Sequence, residues 1–263
     1  MTAEHPGWDP DRYLAHADER GRPFLDLVAR VPVADPHHVV DLGCGAGNLT
    51  RLLAQRWPRA HVTGVDASPA MVERARDEAP EVTVELGDLA EWADGDGSHD
   101  VVVTNAALQW VPGHLDLLPG LVARVTPGGW FAMQVPGNFD EPSHAIRREL
   151  AAEPAYAAHT AGVATPHAHD PATYLRVLAD AGCEVDAWET TYLHVLRGED
   201  PVFSWVSGTG ARPTLEALPP GLREEFEDEF RRRLRAAYPT VELGGHPAVV
   251  LPFRRVFAVA HRR

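Results

Sequence analysis

Between residues 37 and 136 the chain alternates between short apolar runs and segments with helical spacing, and this alternation constrains the fold more than any other feature. We expect buried strands wherever an apolar run of four to eight residues ends in glycine, aspartate or asparagine. Such runs, separated by helices, are typical of a parallel sheet covered on both faces. The pattern predicts strands over 37–42, 61–65, 82–86, 100–104 and 130–135, with helices over 23–30, 49–57, 69–79 and 114–125.

Beyond residue 136 the pattern loosens. Helices are predicted over 143–152 and 171–181, with at least two more within 201–238, and strands over about 184–195 and 248–260. We therefore expect one domain, 1–263, long enough to bury a core. In this interpretation 37–136 form the central sheet, and a mostly helical cap comprises 1–36, 137–170 and 198–247.

The charge of the chain excludes several classes of function. Its formal net charge of −14 argues against nucleic-acid binding, which depends on basic residues that neutralise phosphates. All 24 basic residues are arginine, so neither a Schiff-base lysine nor a phosphate-loop lysine is available.

No apolar run reaches the roughly 18–20 residues of a membrane span, and the first residues do not look like a signal peptide. The two cysteines, Cys44 and Cys183, make no disulfide framework. We expect a cytoplasmic monomer with no membrane partner.

The glycine-rich loop in "VVDLGCGAGNLT", residues 39–50, joins the first strand to the first helix of the sheet. Ligands of open parallel sheets bind at this edge. The loop reads G-x-G-x-G, not the G-x-G-x-x-G of dinucleotide sites, and Asp41 beside it would repel a pyrophosphate and attract a cation. A tight turn with Asp41 in a purely structural role is the alternative.

Three further polar residues follow the next strands. Asp66 could accept both hydroxyls of a ribose, and Asp88 could accept an exocyclic amine. Asn105 ends the fourth strand, although it could act through its backbone alone. A helix cap for Asp66 and a turn for Asp88 are the alternatives. Acids without a basic group fit a positively charged nucleoside, and S-adenosylmethionine, a sulfonium, is such a molecule.

The stretches "VVDLGCGAG", "VTGVDASPAMVERAR", "GDLAEW" and "DVVVTNAALQWV" resemble class I methyltransferases. "WDPDRYLAHADERGRP", "NAALQWVPGH", "TTYLH", "GTGARP" and "FRRVFAVA" resemble the trans-aconitate methyltransferases within that family. The resemblance implies a Rossmann-like, doubly wound α/β fold with a seven-stranded mixed sheet, its last strand antiparallel. For the cofactor S-adenosylmethionine it implies contacts from Asp41, Gly43, Gly45, Asp66, Ala67, Asp88, Leu89, Asn105 and Arg20.

The resemblance also implies a reaction: methylation of one carboxylate of trans-aconitate, a small tricarboxylate, to give a monomethyl ester and S-adenosylhomocysteine. A carboxylate is ionised at neutral pH, so no general base is needed. We expect no catalytic acid or base, only orientation and removal of water. No metal is expected, since His159, His167 and His169 are predicted to lie in a loop that holds no metal site.

A trianionic substrate needs cations, and here these must be arginine or histidine. Arg212 in "GTGARP" and Arg255 in "FRRVF" are the candidates, with ion pairs elsewhere as the alternative. Arg254 and Arg255 face opposite sides of a strand, so only one can enter a pocket, and we favour Arg255. The candidate pocket walls are Trp110, Gln109, Tyr192 and His194.

The sequence departs from the family pattern at Ala211, where a larger apolar residue is usual, and at Arg254, where proline is usual. Both departures put the exact acid in doubt, so another small or natural-product acid stays an alternative substrate. A regulatory module that binds S-adenosylmethionine without turnover and a nicotinamide-dependent dehydrogenase are alternatives of other classes.

Overall fold

The computed structural model describes residues 21–263. The candidate Arg20 and most of the predicted lead-in lie outside these residues. The helices are α1 (Arg22–Ala29), α2 (Thr50–Arg56), α3 (Pro69–Glu78), α4 (Leu89–Ala93), α5 (Leu118–Ala123), α6 (Pro142–Ala151), α7 (Ala157–Thr160), α8 (Pro171–Asp180), α9 (Pro201–Ser207), α10 (Arg212–Ala217) and α11 (Pro220–Ala237). The strands are β1 (His38–Leu42), β2 (His61–Asp66), β3 (Thr83–Leu86), β4 (His99–Asn105), β5 (Val125–Pro136), β6 (Cys183–Leu196), β7 (Val241–Leu243) and β8 (His246–Arg262).

The strands form a sheet in the order β3-β2-β1-β4-β5-β8-β6. β1 pairs in parallel with both β2 and β4, so the strand order reverses between β1 and β4. A reversal of this kind is where open α/β sheets bind ligands. The predicted seven-stranded mixed α/β sheet is confirmed, and the short β7, which was not predicted, adds an eighth strand antiparallel to β8.

The middle of the central strands β1 and β4 is buried. Val40, Leu42, Val101, Val102 and Val103 have no exposed surface. Burial of successive residues is characteristic of strands that are covered on both faces, and it explains the valine runs in these strands.

The chain divides into two compact units. Among the described residues the first comprises 21–135, 169–189 and 256–263, and it contains the cofactor candidates other than Arg20. The second comprises 136–168 and 190–255, and its own core is built around Phe226 and Phe230 of α11. The second unit shares residues 137–168 and 198–247 with the predicted cap. Residues 190–197 and 248–255, which were not predicted as cap, also belong to it.

Several segments differ from the sequence-based expectation. The strand predicted over 130–135 begins earlier, because β5 starts at Val125 and includes residues 127–129: β4 pairs His99 with Val125 and then Val101 with Trp130, so the extra residues form a bulge. A bulge accommodates the proline and glycines without ending the strand. The predicted helix over 114–125 is a 3₁₀ turn followed by α5, and α4 was not expected.

Candidate functional site

The glycine loop after β1 takes left-handed backbone conformations, with φ of 76° at Gly43, 56° at Gly45 and 80° at Gly47. A Cβ on Gly43 would stand 2.3 Å from the Cβ of Ala107, and one on Gly47 would stand 3.0 Å from that of Ala75. A Cβ on Gly45 would meet no described atom within 4 Å. Two of the glycines therefore serve packing, whereas Gly45 borders open space that a ligand could approach.

Asp41 lies beneath this loop and is buried, with 2% of its surface exposed. The hydroxyl of Thr50 donates to its Oδ2 at 2.6 Å. Burial, opposed by the Thr50 hydrogen bond and reinforced by the nearby Asp66, raises the pKa of Asp41 to about 6. The burial of Asp41 and its bond to Thr50 match the purely structural alternative. When ionised, its carboxylate also places a negative charge beneath the glycine loop.

Asp66, at the end of β2, holds two segments in place. Its Oδ2 accepts the backbone N–H of Gly45 at 2.9 Å, and its Oδ1 accepts that of Ser68 at 2.9 Å. Ser68 in turn caps α3 by accepting the N–H of Met71. Each carboxylate oxygen can accept a second hydrogen bond, so Asp66 could bind ribose hydroxyls while it holds the loop.

Asp88 follows β3 and caps helix α4. Its Oδ1 accepts the N–H of Ala90 at 2.7 Å and that of Glu91 at 3.4 Å. The residue is exposed, so its other oxygen can meet a ligand. Leu89, the first residue of α4, is buried, and Ala67, after Asp66, is exposed.

Unsatisfied polar atoms collect at the end of β4. Asn105 stands beside Gln134 of β5 in the parallel register. The buried Oδ1 of Asn105 and both side-chain polar atoms of Gln134 have no hydrogen-bond partner among residues 21–263. The next residue, Ala106, has a φ of 55°, a strained value for a residue with a side chain.

Gln109, in the 3₁₀ turn Leu108–Trp110, is buried and donates its Nε2 to the carbonyl oxygen of Ala106 at 2.6 Å. Its Oε1 has no partner within the described part of the chain. Trp110 next to it is 39% exposed. Buried polar atoms are normally hydrogen-bonded, so this group of orphaned acceptors and donors suits a polar ligand.

The sheet thus brings the cofactor candidates to one edge, because adjacent parallel strands β3, β2, β1 and β4 all end there. The open face at Gly45 and the orphaned amides of Asn105, Gln109 and Gln134 fit a polar nucleoside such as S-adenosylmethionine. The sequence reasoning missed Gln134, whose polar side chain at the end of an apolar strand, "FAMQV", was the available signal.

Cys44, between the first two glycines, is a buried free thiol. Its Sγ lies against β2, where a Cβ on Gly64 would come within 3.0 Å of it. Burial and the charges of Asp41 and Asp66 raise the pKa of Cys44 to about 12. A thiol in this state is a packing group, not a nucleophile.

The arginine candidates for the substrate both lie in the second unit. Arg212 begins α10 and pairs with Glu216 at 3.0 Å, with both side chains 58% exposed. Arg255 is buried, and its guanidinium lies 4.3 Å from the ring centre of Phe253. Arg254 donates instead to the carbonyl oxygen of Gly137 at 3.1 Å. The two neighbours therefore have different environments, and Arg255 is the buried one.

Tyr192 and His194 are buried on one face of β6 and stack with their ring centres 6.5 Å apart. His194 also packs against Trp205, at 4.6 Å, and against Phe253, at 5.7 Å. These contacts suit packing in the core as much as the wall of a pocket. The other candidate walls, Trp110 and Gln109, belong to the first unit.

No group of three histidine, cysteine or acidic side chains within residues 21–263 is arranged to hold a metal ion. His169 lies instead beside His114, with ring centres 5.4 Å apart, and its backbone N–H donates to the hydroxyl of Tyr174. Within the same range no helix combines the length and apolar character needed to cross a membrane.

Comparisons with known proteins identify the family of the chain. A family model described as "Methyltransferase domain" matches residues 39–129. A trans-aconitate 2-methyltransferase of Streptomyces avermitilis is 49% identical, with 100% of this chain and 99% of the relative covered. One of Streptomyces coelicolor is 51% identical, with 100% and 89% covered.

The fold has solved counterparts. A geranyl diphosphate C-methyltransferase of Streptomyces coelicolor, solved with S-adenosyl-L-homocysteine, superimposes with a TM-score of 0.52 at 18% identity, covering 100% of this chain and 86% of that one. S-adenosylmethionine is the cofactor that this fold and the matched domain imply. The chain therefore belongs to the family of methyltransferases that contains these trans-aconitate 2-methyltransferases.

Proposed function

We propose that this protein is an S-adenosylmethionine-dependent O-methyltransferase that esterifies one carboxylate of trans-aconitate. The observation that carries the proposal is the likeness, at 49% and 51% identity over the whole chain, to relatives named for this activity. The products are the monomethyl ester and S-adenosylhomocysteine.

The cofactor would be held by residues at the carboxyl edge of the sheet. Asp66 would accept the ribose hydroxyls, and the exposed Asp88 would accept an amine. Gly45 would allow close approach of the cofactor to the backbone, and Asn105 would offer its unpaired Oδ1. When bound, S-adenosylmethionine supplies the methyl group, which its sulfonium charge activates. Ala67 and Leu89 complete the proposed contacts, together with Arg20, which lies outside the described residues.

The protein's own contribution to the reaction is orientation and exclusion of water. The substrate carboxylate is ionised at neutral pH, because its pKa lies near ~4, and it needs no proton acceptor. Orientation of the two reactants can lower the barrier by up to about 7–11 kcal/mol. We assign the substrate carboxylates to Arg255 and Arg212, and the remaining substrate contacts to Trp110, Gln109, Tyr192 and His194.

A small tricarboxylate is the only partner that the proposal requires. The net charge of −14 makes nucleic acid an unfavourable partner. We propose a cytoplasmic monomer, and light scattering of the purified protein tests the oligomeric state.

Mass spectrometry tests the activity. The protein and S-adenosylmethionine are incubated separately with trans-aconitate, cis-aconitate, citrate and isocitrate. We expect a monomethyl ester of trans-aconitate, formed together with S-adenosylhomocysteine, well ahead of any other ester. An ester of a different acid would replace the substrate and direct attention to Ala211 and Arg254. Cofactor binding without any ester would favour the regulatory alternative.

A further inference from the structure

Arg147, on helix α6 in the second unit, is a buried cation. Only 4% of its surface is exposed. One terminal nitrogen, Nη1, donates to Oγ1 of Thr214 at 2.6 Å, but Nε has no hydrogen-bond partner among residues 21–263. No carboxylate of the same residues pairs with it. A buried charge of this kind is costly, and an anion bound beside it would offset that cost.

Arg147 is among the residues that line a cavity of about 330 Å³ within the second unit. This volume falls in the range of small-molecule sites. The polar part of the lining is basic and hydroxylic, and alanines and Val163 make up the rest; the polar residues are Arg147, Arg148, Thr160, Thr165 and Thr214. The hydroxyl of Thr160 already donates to the carbonyl oxygen of Ala151, so the two arginines are the groups that would attract a ligand.

The surroundings leave this positive charge poorly neutralised. Arg148 donates to the carbonyl oxygen of Phe139 and lies 3.7 Å from Asp140, which is fully exposed. An exposed ion pair of this kind contributes little. Burial and the neighbouring Arg148 lower the pKa of Arg147, and burial together with both arginines lowers the pKa of His144 to about 4. His144 is therefore neutral and adds no competing charge.

Thr214, which lines the cavity, directly follows the stretch "GTGARP", 208–213, which is one of those that resemble the trans-aconitate methyltransferases. In the same stretch Arg212 is exposed and already paired with Glu216. A planar guanidinium fork matches a carboxylate with two parallel hydrogen bonds. The buried Arg147 therefore has the properties that a carboxylate-binding residue needs.

We propose that this cavity is a carboxylate-binding subsite for the acid substrate, in which Arg147 binds one carboxylate and Thr214 positions the guanidinium. The inference rests on the proposed function for the identity of the acid. Arg147 lies in the helix "PSHAIRRELA", which carries no motif that would have marked it as a binding residue.

The test compares Arg147→Met, Thr214→Val and Thr214→Ser with the wild type. The control is Arg232→Gln, which removes one exposed arginine of α11 that pairs with Glu229. Calorimetric titration with trans-aconitate and citrate measures binding without the cofactor. Steady-state kinetics give KM and kcat, and thermal melts give Tm.

We expect Arg147→Met to raise the Kd and the KM for trans-aconitate at least about tenfold, since hydrogen bonds to charged groups are lost. The KM for S-adenosylmethionine should stay within about twofold of the wild-type value. Without ligand, the Tm should be equal or higher, because methionine removes an uncompensated buried charge. Thr214→Val should raise the KM for trans-aconitate by a smaller factor than Arg147→Met does. Thr214→Ser and the control Arg232→Gln should both keep the wild-type KM for trans-aconitate.

The outcomes separate the two proposals. A wild type that makes the ester, with Arg147→Met retaining the wild-type KM and Kd, overturns the subsite and keeps the function. A wild type that binds these acids through Arg147 but makes no ester keeps the subsite and overturns the function. A wild type that binds neither acid overturns the subsite. If Arg147→Met fails to fold, a wild-type KM for Thr214→Val overturns it as well.

Discussion

The hydroxyl of Thr50 donates to the buried carboxylate of Asp41 across 2.6 Å, which ties helix α2 to strand β1 directly under the glycine loop. We expect Thr50→Val to lower the free energy of unfolding by about 2–3 kcal/mol at pH 7.5, because it leaves an ionised oxygen without its donor. Urea unfolding measures the change. Thr50→Ser keeps the hydroxyl and is the control; equal losses in both variants would contradict the role of the hydrogen bond.

Asp41 also makes stability depend on pH. Its pKa in the folded protein is about 6, raised from 3.8, so its protonated form is favoured by folding. The stabilisation is fully present below the unfolded pKa and is lost as pH rises through about 6. We expect the difference in unfolding free energy between wild type and Asp41→Asn to change by up to about 3 kcal/mol between pH 4 and pH 8. A difference that stays constant over this range would refute the shifted pKa.

Gly43 and Gly45 form a matched pair for substitution, since both have positive φ. A Cβ added at Gly43 would clash with Ala107, whereas one added at Gly45 would meet no described atom within 4 Å. Alanine in a left-handed conformation costs roughly 1–2 kcal/mol at either position. Gly43→Ala adds a 2.3 Å contact with Ala107, so we expect a clearly larger loss of unfolding free energy. Gly45→Ala should remain folded and weaken S-adenosylmethionine binding instead. Chemical denaturation and calorimetric titration of the two variants distinguish the effects; similar stability losses would count against the clash.

Asp66 combines a loop contact with the proposed ribose contact. We expect Asp66→Ala to weaken S-adenosylmethionine binding by about 10–100-fold, from lost charge-assisted hydrogen bonds and a loosened loop. Ser68→Ala, which removes only the cap of α3, is the control and should cost about 1 kcal/mol of stability. Calorimetric titration measures both variants. Cofactor affinity that is equal in the two would argue for a purely structural Asp66.

Arg254 and Arg255 allow a test of which neighbour contacts the substrate. Arg255 is buried, whereas Arg254 donates to the carbonyl oxygen of Gly137. We expect Arg255→Gln to raise the KM for trans-aconitate about tenfold or more, with the KM for the cofactor unchanged. Arg254→Gln should leave the KM for the acid near the wild-type value. A larger effect from Arg254→Gln would reverse the assignment.

Much of the central sheet could be predicted because its local signals agree. Strands β1 and β4 contain runs of valine, which burial on both faces favours, and Ser68 and Pro69 mark the start of α3. The β5 bulge was not predictable, because "TPGG" has the chemistry of a turn and only pairing with β4 keeps it in the strand. Helix α4 is five residues long, too short for a periodic pattern.

Only those candidate residues that stand at or just after the end of a strand could be selected from the sequence. Asp66, Asp88 and Asn105 were found because they come directly after apolar runs. The role of Asp41 as a buried acid bonded to Thr50 depends on a contact nine residues away along the chain. Arg147 could not be selected, since its burial and missing counter-ion are tertiary properties, and "RR" on a helix predicts a solvated face.

The reactivity of the Cys44 thiol reports movement of the glycine loop. With a pKa of about 12 and its sulfur against β2, it reacts with an alkylating reagent only when the loop separates from Gly64. The alkylation rate at this one position, followed by peptide mass, therefore measures how often the loop opens. Cys44 is therefore an intrinsic probe of loop opening, and no label has to be introduced at this edge of the sheet.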